Sequence, residues 1–409
     1  MAAYFAPRAV VIATLAAGAH AQTFQGLGML PGHAASGARA VSGDGLTVVG
    51  VSAELTTVGN PRPFRWTAAM GMQPLPVLAG STQSAALAVS TDGSVAAGES
   101  RTQSSIAVRW EGDIQSLGLI AGSPFSIATG ISGDGQRIVG RSGNFGAFSW
   151  TGSAGMVALP PLPPGNAAQA WGISSDGAVA VGDSQSGATS TAVRWTPAGV
   201  EDLVSPAGAA ITSAQAASAD GGVIVGWGIL AGVSNNRAFR WTPAGGMQFF
   251  GVLPGGTFSH ARGVSGDGLV VVGTASGANA VRASFIWTPA LGLRNLREFL
   301  AEQGANLSGW TGIDAHGISA DGRTIVGEGI GPGGHEQAWI ATIPGWAACA
   351  ANCDGSSQPP ALNVADFTCF LQLFASGSDH ANCDFSTAPP TLNVADFTCF
   401  LQKFAAGCP

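Results

Sequence analysis

Lysine is almost missing from this 409-residue chain. Lys403 is the only one, and lysine and arginine together number 17 against 24 acidic residues, for a formal charge of −7. No basic patch is present to release counterions from nucleic acid or to dock on anionic lipid, so both partners are disfavoured. Cysteine does not occur before Cys349, so the long stretch ahead of it holds neither a disulfide nor a thiolate nucleophile. Charge is scarce, at 10% of residues, while hydrophobic residues make up 46% and glycine occurs 61 times. A chain this apolar and this rich in glycine buries a core and turns often, which argues for an ordered β protein over a disordered one. Long apolar runs are lacking too. The longest, Ala9 to Ala19, follows a lone cationic residue, Arg8, and precedes Ala19-His20-Ala21. That layout predicts a signal peptide over residues 1–21, cleavage before Gln22, and a secreted or cell-surface protein with no membrane insertion afterwards.

What is present is repetition. The pattern of an alanine-rich strand, Val/Ile/Ala-Ser-x-Asp-Gly, an apolar strand ending in glycine and an aromatic strand ending in tryptophan occurs seven times. Its Asp-Gly pairs begin at Asp44, Asp92, Asp134, Asp176, Asp220, Asp267 and Asp321, and its tryptophans are Trp66, Trp110, Trp150, Trp195, Trp241, Trp287 and Trp339. The spacing matches the ~40–50 residues of a four-stranded propeller blade. In the sixth copy, Ala261–Ser265, Leu269–Gly273, Ala283–Trp287 and Gly292–Leu296 read as the four strands. Phe285 and Trp287 share a face that should pack between blades, whereas Arg65, Arg109, Arg194 and Arg240 precede their tryptophans and point the other way. The segment from Phe24 to Gly32 resembles Phe249 to Gly255, a fourth strand plus linker, and the seventh copy runs into Pro344 without one. The N-terminal strand is therefore expected to complete the last blade, giving an all-β, seven-bladed β-propeller over residues 22–343 with a linker at 344–351.

The wording Leu-Pro-Gly-Gly, Ala-x-x-Val-Ser-x-Asp-Gly-x-x-Val-Val-Gly and Ala-Phe-x-Trp-Thr resembles the bacterial HAF-repeat proteins. The Ser-x-Asp-Gly hairpin is similar to that of TolB-like propellers. The likeness covers about Thr23 to Ile343 and implies a secreted propeller without implying a reaction.

Residues 349–409 carry a second repeat. Asn352-Cys353-Asp354-Gly355-Ser356 with Leu362 to Leu371 recurs 30 residues later as Asn382-Cys383-Asp384-Phe385-Ser386 with Leu392 to Leu401. Alternating oxygens at Asn352, Asp354 and Ser356 can turn inward on a loop while Asn363 and Asp366 return ligands from a helix start, as calcium requires; Asn382, Asp384, Ser386, Asn393 and Asp396 repeat the set. Phe367, Phe370, Leu371 and Phe374 fall on one helical face. Cys349, Cys353, Cys369, Cys383, Cys399 and Cys408, an even number in a small exported segment, read as a disulfide framework whose pairing the sequence leaves open. The segment resembles a dockerin, of the cysteine-containing type found at the ends of planctomycete secreted proteins. The resemblance implies paired loop–helix units, calcium as cofactor and a cohesin-like receptor as partner. Pro359-Pro360 and Pro389-Pro390 lengthen the loops, Phe385 replaces a turn glycine and only two carboxylates serve each loop, so calcium affinity should be modest. Repeat symmetry offers one pairing among those left open: Cys353 with Cys369 and Cys383 with Cys399, with Cys349 and Cys408 clasping the ends.

No catalytic constellation emerges. The recurrent Ser-x-Asp-Gly reads as a hairpin device in which serine and aspartate satisfy turn amides. His33, His260, His316, His335 and His380 form no His-x-x-x-His pair, and His33 and His260 fall in related linkers. The carboxylates outside the hairpins (Glu54, Glu99, Glu111, Asp113, Glu201, Asp202, Glu298, Glu302) are scattered. Trp171, Trp227 and Trp310 lie outside the seven-fold set; gathered at one mouth they would make a sugar-stacking surface, and otherwise they pack between blades. The expectation is a secreted, non-catalytic binding or display protein, tethered by its tail. A polysaccharide-acting hydrolase or lyase and a purely structural envelope component are the alternatives.

Overall fold

The computed structural model describes residues 23–54, 60–143, 146–204, 209, 211–278, 282–289, 291–343, 364–375 and 394–406. Residues 1–22, where the signal peptide is expected, fall outside them. Among the described residues the chain is mostly β. Strands join their sequence neighbours into up-and-down antiparallel units of four, spanning 35–74, 83–118, 126–159, 167–202, 211–249 and 259–295, numbered here 1 to 6. A further unit, 7, combines three strands over 311–342 with Thr23–Gly26. Units 4 and 5 are joined into one eight-stranded sheet by a single parallel bridge, Ser190 to Ile211.

The first two strands of each unit are joined by the same turn. In unit 3 the Ser132 hydroxyl donates to Asp134 (2.6 Å) and accepts from the Arg137 amide (2.9 Å), while Asp134 accepts from the Gln136 amide (3.0 Å). The other six copies repeat these bonds. The turn differs from the two-residue hairpin that Asp-Gly suggests. Only the glycines are left-handed, and the glycine amide bonds back to the serine carbonyl, as in a type I turn followed by a left-handed residue. The middle residue x also bonds to the neighbouring unit. Asp44 N reaches Thr91 O, Thr91 N reaches Gly133 O, Gly133 N reaches Ser175 O, and the chain of bonds continues through Asp176, Ala219, Gly266 and Ala320 until Ala320 N returns to Gly43 O.

The core follows the same cycle. Each hydrophobic cluster straddles two consecutive units, and one of them joins Val326, Ala338 and Ile340 of unit 7 to Phe64 and Trp66 of unit 1. The aromatic face of the third strand therefore packs between units. The arginines on the opposite face are not simply solvated: Arg109, Arg194 and Arg240 lie over Trp150, Trp241 and Trp287 of the following unit, 5.4, 4.8 and 5.9 Å from the ring centres. The N-terminal strand pairs antiparallel with Glu336–Thr342, placing Gly26 opposite Trp339.

One element departs from expectation. The fourth strand of unit 6 stops at Asn295, and Leu296–Glu302 is a helix. Asn295 caps it, accepting from the Arg297 and Glu298 amides, and Leu296, Phe299 and Leu300 bury its inner face. In the tail, Val364–Ala375 and Val394–Ala406 are helices whose Phe370 and Phe400 rings stack 4.1 Å apart. No helix among the described residues is long and apolar enough to cross a membrane.

Candidate functional site

A shared backbone device takes one side chain of each unit out of the regular strand alternation. The first strand of every unit carries a β-bulge after an alanine, which pairs with the glycine near the middle of the second strand. The extra residue, three positions before the turn serine, is Arg39, Leu87, Thr129, Trp171, Gln215, Arg262 or His316. The paired glycine is obligatory because the strands approach so closely: a Cβ on Gly182 would lie 1.9 Å from the Gln169 carbonyl oxygen, and one on Gly226 2.0 Å from that of Ser213. A bulge turns its side chain out of the regular alternation. Here the bulge residues of units 4, 5 and 6 converge on one cavity, while those of units 7 and 1 touch, His316 Nε2 lying 3.3 Å from Arg39.

The cavity measures about 450 Å³ and is walled chiefly by Trp171, Asp183, Gln215, Trp227, His260 and Arg262. That size lies within the roughly 300–1,000 Å³ range of small-molecule sites. Trp171 donates its indole N–H to Asp183 (2.6 Å), which also accepts from Ser213 (2.9 Å) and Ser190 (3.3 Å). Behind Trp171 stands Arg141, its guanidinium 5.7 Å from the indole centre. Across the cavity Trp227 and His260 stack 5.1 Å apart with planes 14° from parallel. Burial, aided by Arg262, lowers the His260 imidazole to about 4. The ring is neutral near pH 7, and its Nε2 accepts from the Asn236 side-chain amide, which leaves the proton on Nδ1. Arg262 has no hydrogen-bond or ion-pair partner among the described residues and is exposed at the cavity wall.

Beside the cavity lies an ion-pair network. Asp314 and Glu328 stand opposite each other in the sheet, and Arg282 bonds to both and to Glu336. Arg39 (3.2 Å) and His316 (3.4 Å) approach Glu328 as well. Burial alone would raise Glu328, but His316, Arg39 and Arg282 outweigh it and hold the carboxyl at about 2. For Asp314 burial wins, and its pKa is raised. Ligand atoms of Asp314, His316 and Glu328 come within 4.8 Å of one another, yet a cation there would have to displace two guanidinium groups. The donor set is a poor fit for a resident metal.

The sequence-predicted residues fare unevenly. Trp171 and Trp227 gather in the cavity, whereas Trp310 is buried against Phe24 in the seam between units 6 and 7. His260 is a strand residue, not a linker residue, and His33 bonds to Ser52. Asp183, Asp314 and Glu328 were not among the acids singled out by sequence, and Glu298 and Glu302 belong to the short helix. Of the residues expected to bind calcium, Asp366 and Asp396 are buried in the first turns of the tail helices. Asn352, Asp354, Ser356, Asn363, Asn382, Asp384, Ser386 and Asn393 lie outside the described residues, as do Cys349, Cys353, Cys383 and Cys408. Cys369 and Cys399 are disulfide-bonded.

No protein-family model matches the chain, and neither does any curated protein. Solved structures do. An oligogalacturonate lyase in complex with manganese superposes with a TM-score of 0.50 at 10% identity, over 79% of this chain and 97% of that one. A prolyl endopeptidase gives 0.50 at 12% identity, over 76% of this chain and 50% of its own. TolB from Acinetobacter baumannii gives 0.43 at 16% identity, over 60% and 62%. The chain thus spans half of the endopeptidase and about three fifths of TolB. At such identities the likeness shows the fold alone, and that fold is of the β-propeller type.

Proposed function

We propose that this is an exported, non-catalytic carbohydrate-binding protein. In this reading a closed, seven-bladed propeller holds its ligand in the axial cavity, and a calcium-bearing, disulfide-stapled, dockerin-like tail attaches it to a cell-surface assembly through a cohesin-like receptor. The observation that carries the reading is the pairing of Trp171 and Trp227 in one polar-rimmed cavity. Sugars present C–H faces to indoles and hydroxyls to acceptors such as Asp183 and Gln215. The cyclic seams and turn bonds support the closed ring, and the buried acids and bonded cysteines of the tail helices support the tail. Binding is favoured over polysaccharide cleavage because the acids of this region are already engaged: Asp314 and Glu328 by arginine, Asp183 by Trp171 and two serines.

A glycan array probed with the whole exported chain tests the reading, with Trp227→Ala expected to lose at least tenfold in affinity for any hit. Turnover of a bound polysaccharide would replace it with the lyase or hydrolase alternative, and absence of binding would leave the structural one. For the tail, calorimetric titration with calcium should give a saturable heat in the millimolar range that Asp366→Asn with Asp396→Asn removes. No heat would retire the metal.

A further inference from the structure

We propose that the ligand of the cavity is an acidic sugar residue and that Arg262 holds its carboxylate. This rests on the carbohydrate reading above and deepens it. Arg262 is the bulge residue of unit 6, so the backbone irregularity that recurs around the cycle presents its guanidinium to the cavity. Its surroundings leave it unmatched. The nearest acids, Asp314 and Glu328, are committed to Arg282, Arg39 and His316, and Arg39 adds a like charge to the same neighbourhood. Its guanidinium is exposed at the cavity wall, with its donors open to a partner from solution. A planar carboxylate would supply that partner through two parallel N–H donors.

The rest of the cavity narrows the carrier of that carboxylate. Trp227, braced by neutral His260, and Trp171, braced by Arg141, offer flat apolar faces suited to a ring. Gln169, Gln185 and Gln215 supply amides that both donate and accept, as hydroxyl recognition needs. Asp183 does not oppose the anion with a bare charge, since Trp171, Ser213 and Ser190 already donate to it. A free inorganic anion would use the arginine and leave the indoles idle, and a neutral sugar would do the reverse.

The test measures binding of the whole exported chain by calorimetry to a glucuronate-containing oligosaccharide, to its carboxyl-reduced counterpart and to inorganic phosphate. The acidic oligosaccharide should bind at least tenfold more tightly than the reduced one, and phosphate should not compete at equal concentration. Arg262→Gln should abolish the preference, bringing the acidic oligosaccharide to the affinity of the reduced one. Because Arg262 makes no internal bond, the same variant should unfold at the same temperature as the parent or a few degrees higher; a marked loss of stability would assign the arginine a structural role and overturn the proposal. Equal binding of the two sugars would also overturn it while leaving the carbohydrate reading intact. Failure of both to bind would sink the two together.

Discussion

His260 shows how much a single bulge-adjacent side chain carries. Its folded pKa of about 4 lies below the ordinary histidine value of about 6.5, so the unfolded chain binds the extra proton more readily. The stabilisation is fully present above about pH 6.5 and drains away as pH falls toward 4. Denaturant midpoints measured across that window should decline, and His260→Gln should flatten the slope; an unchanged slope would mean the imidazole is already solvated. The turn aspartates act lower on the scale. Hydrogen bonds from the Ser94 amide and the Ser90 hydroxyl hold Asp92 at about 2, so its contribution is present above about pH 4 and is lost only as pH falls through 2. Two windows of acid sensitivity therefore belong to two different kinds of residue. At this scale the glycines are equally specific: Gly182→Ala forces a Cβ into the Gln169 carbonyl, and a loss of about 3 kcal/mol or more is expected in urea melts. A milder effect would show that the bulge can relax.

Among the elements, the N-terminal strand has the largest lever. It contributes one edge of unit 7, stacks Phe24 on Trp339 and leads into Leu27 and Leu30, both buried in the seam with unit 1. Removing residues 22–30 deletes two buried leucines and the Phe24 ring and uncovers Trp339 and the ladder along Glu336–Thr342, for an expected loss of at least about 4 kcal/mol. Chemical unfolding of the truncated chain checks this, and an unaffected curve would mean that the strand merely rests on the sheet. This element was legible in the sequence because Phe24 to Gly32 repeats the wording of a later strand and linker. The strand order of every unit was legible for the same reason, turn chemistry and strand alternation being local. The helix at Leu296–Glu302 was not. Its first apolar residue falls where a fourth strand ends, so Leu296 read as strand although Asn295 and the spacing of Leu296, Phe299 and Leu300 carried a helix signal. The cavity was hidden for a deeper reason. A repeat is recognised by what recurs, whereas the site is built from the column that varies, three residues before each turn serine. The unequal side chains at Trp171, Gln215, Arg262 and His316 were the available sign.

For the whole molecule, what matters is that the sequence of contacts has no end. Seven hydrophobic seams and a cycle of turn-to-turn hydrogen bonds lead from unit 1 through unit 7 and back, so each unit is held on two sides. A linear array of repeats behaves differently: its terminal members have one neighbour each and fray first, giving broad or stepwise melting. In a closed cycle no unit is terminal, and loss of any one removes two seams at once. Calorimetry on the oxidised chain should therefore show residues 23–343 unfolding in a single transition whose van't Hoff and calorimetric enthalpies agree. The tail should melt separately. Its helices are short, and with Cys369 and Cys399 bonded they depend on covalent staples. Adding a reductant should collapse the tail transition and leave the main one where it was, since no cysteine precedes Cys349. A main transition that splits into steps, or that moves with reduction, would mean that the units are not coupled through a closed cycle.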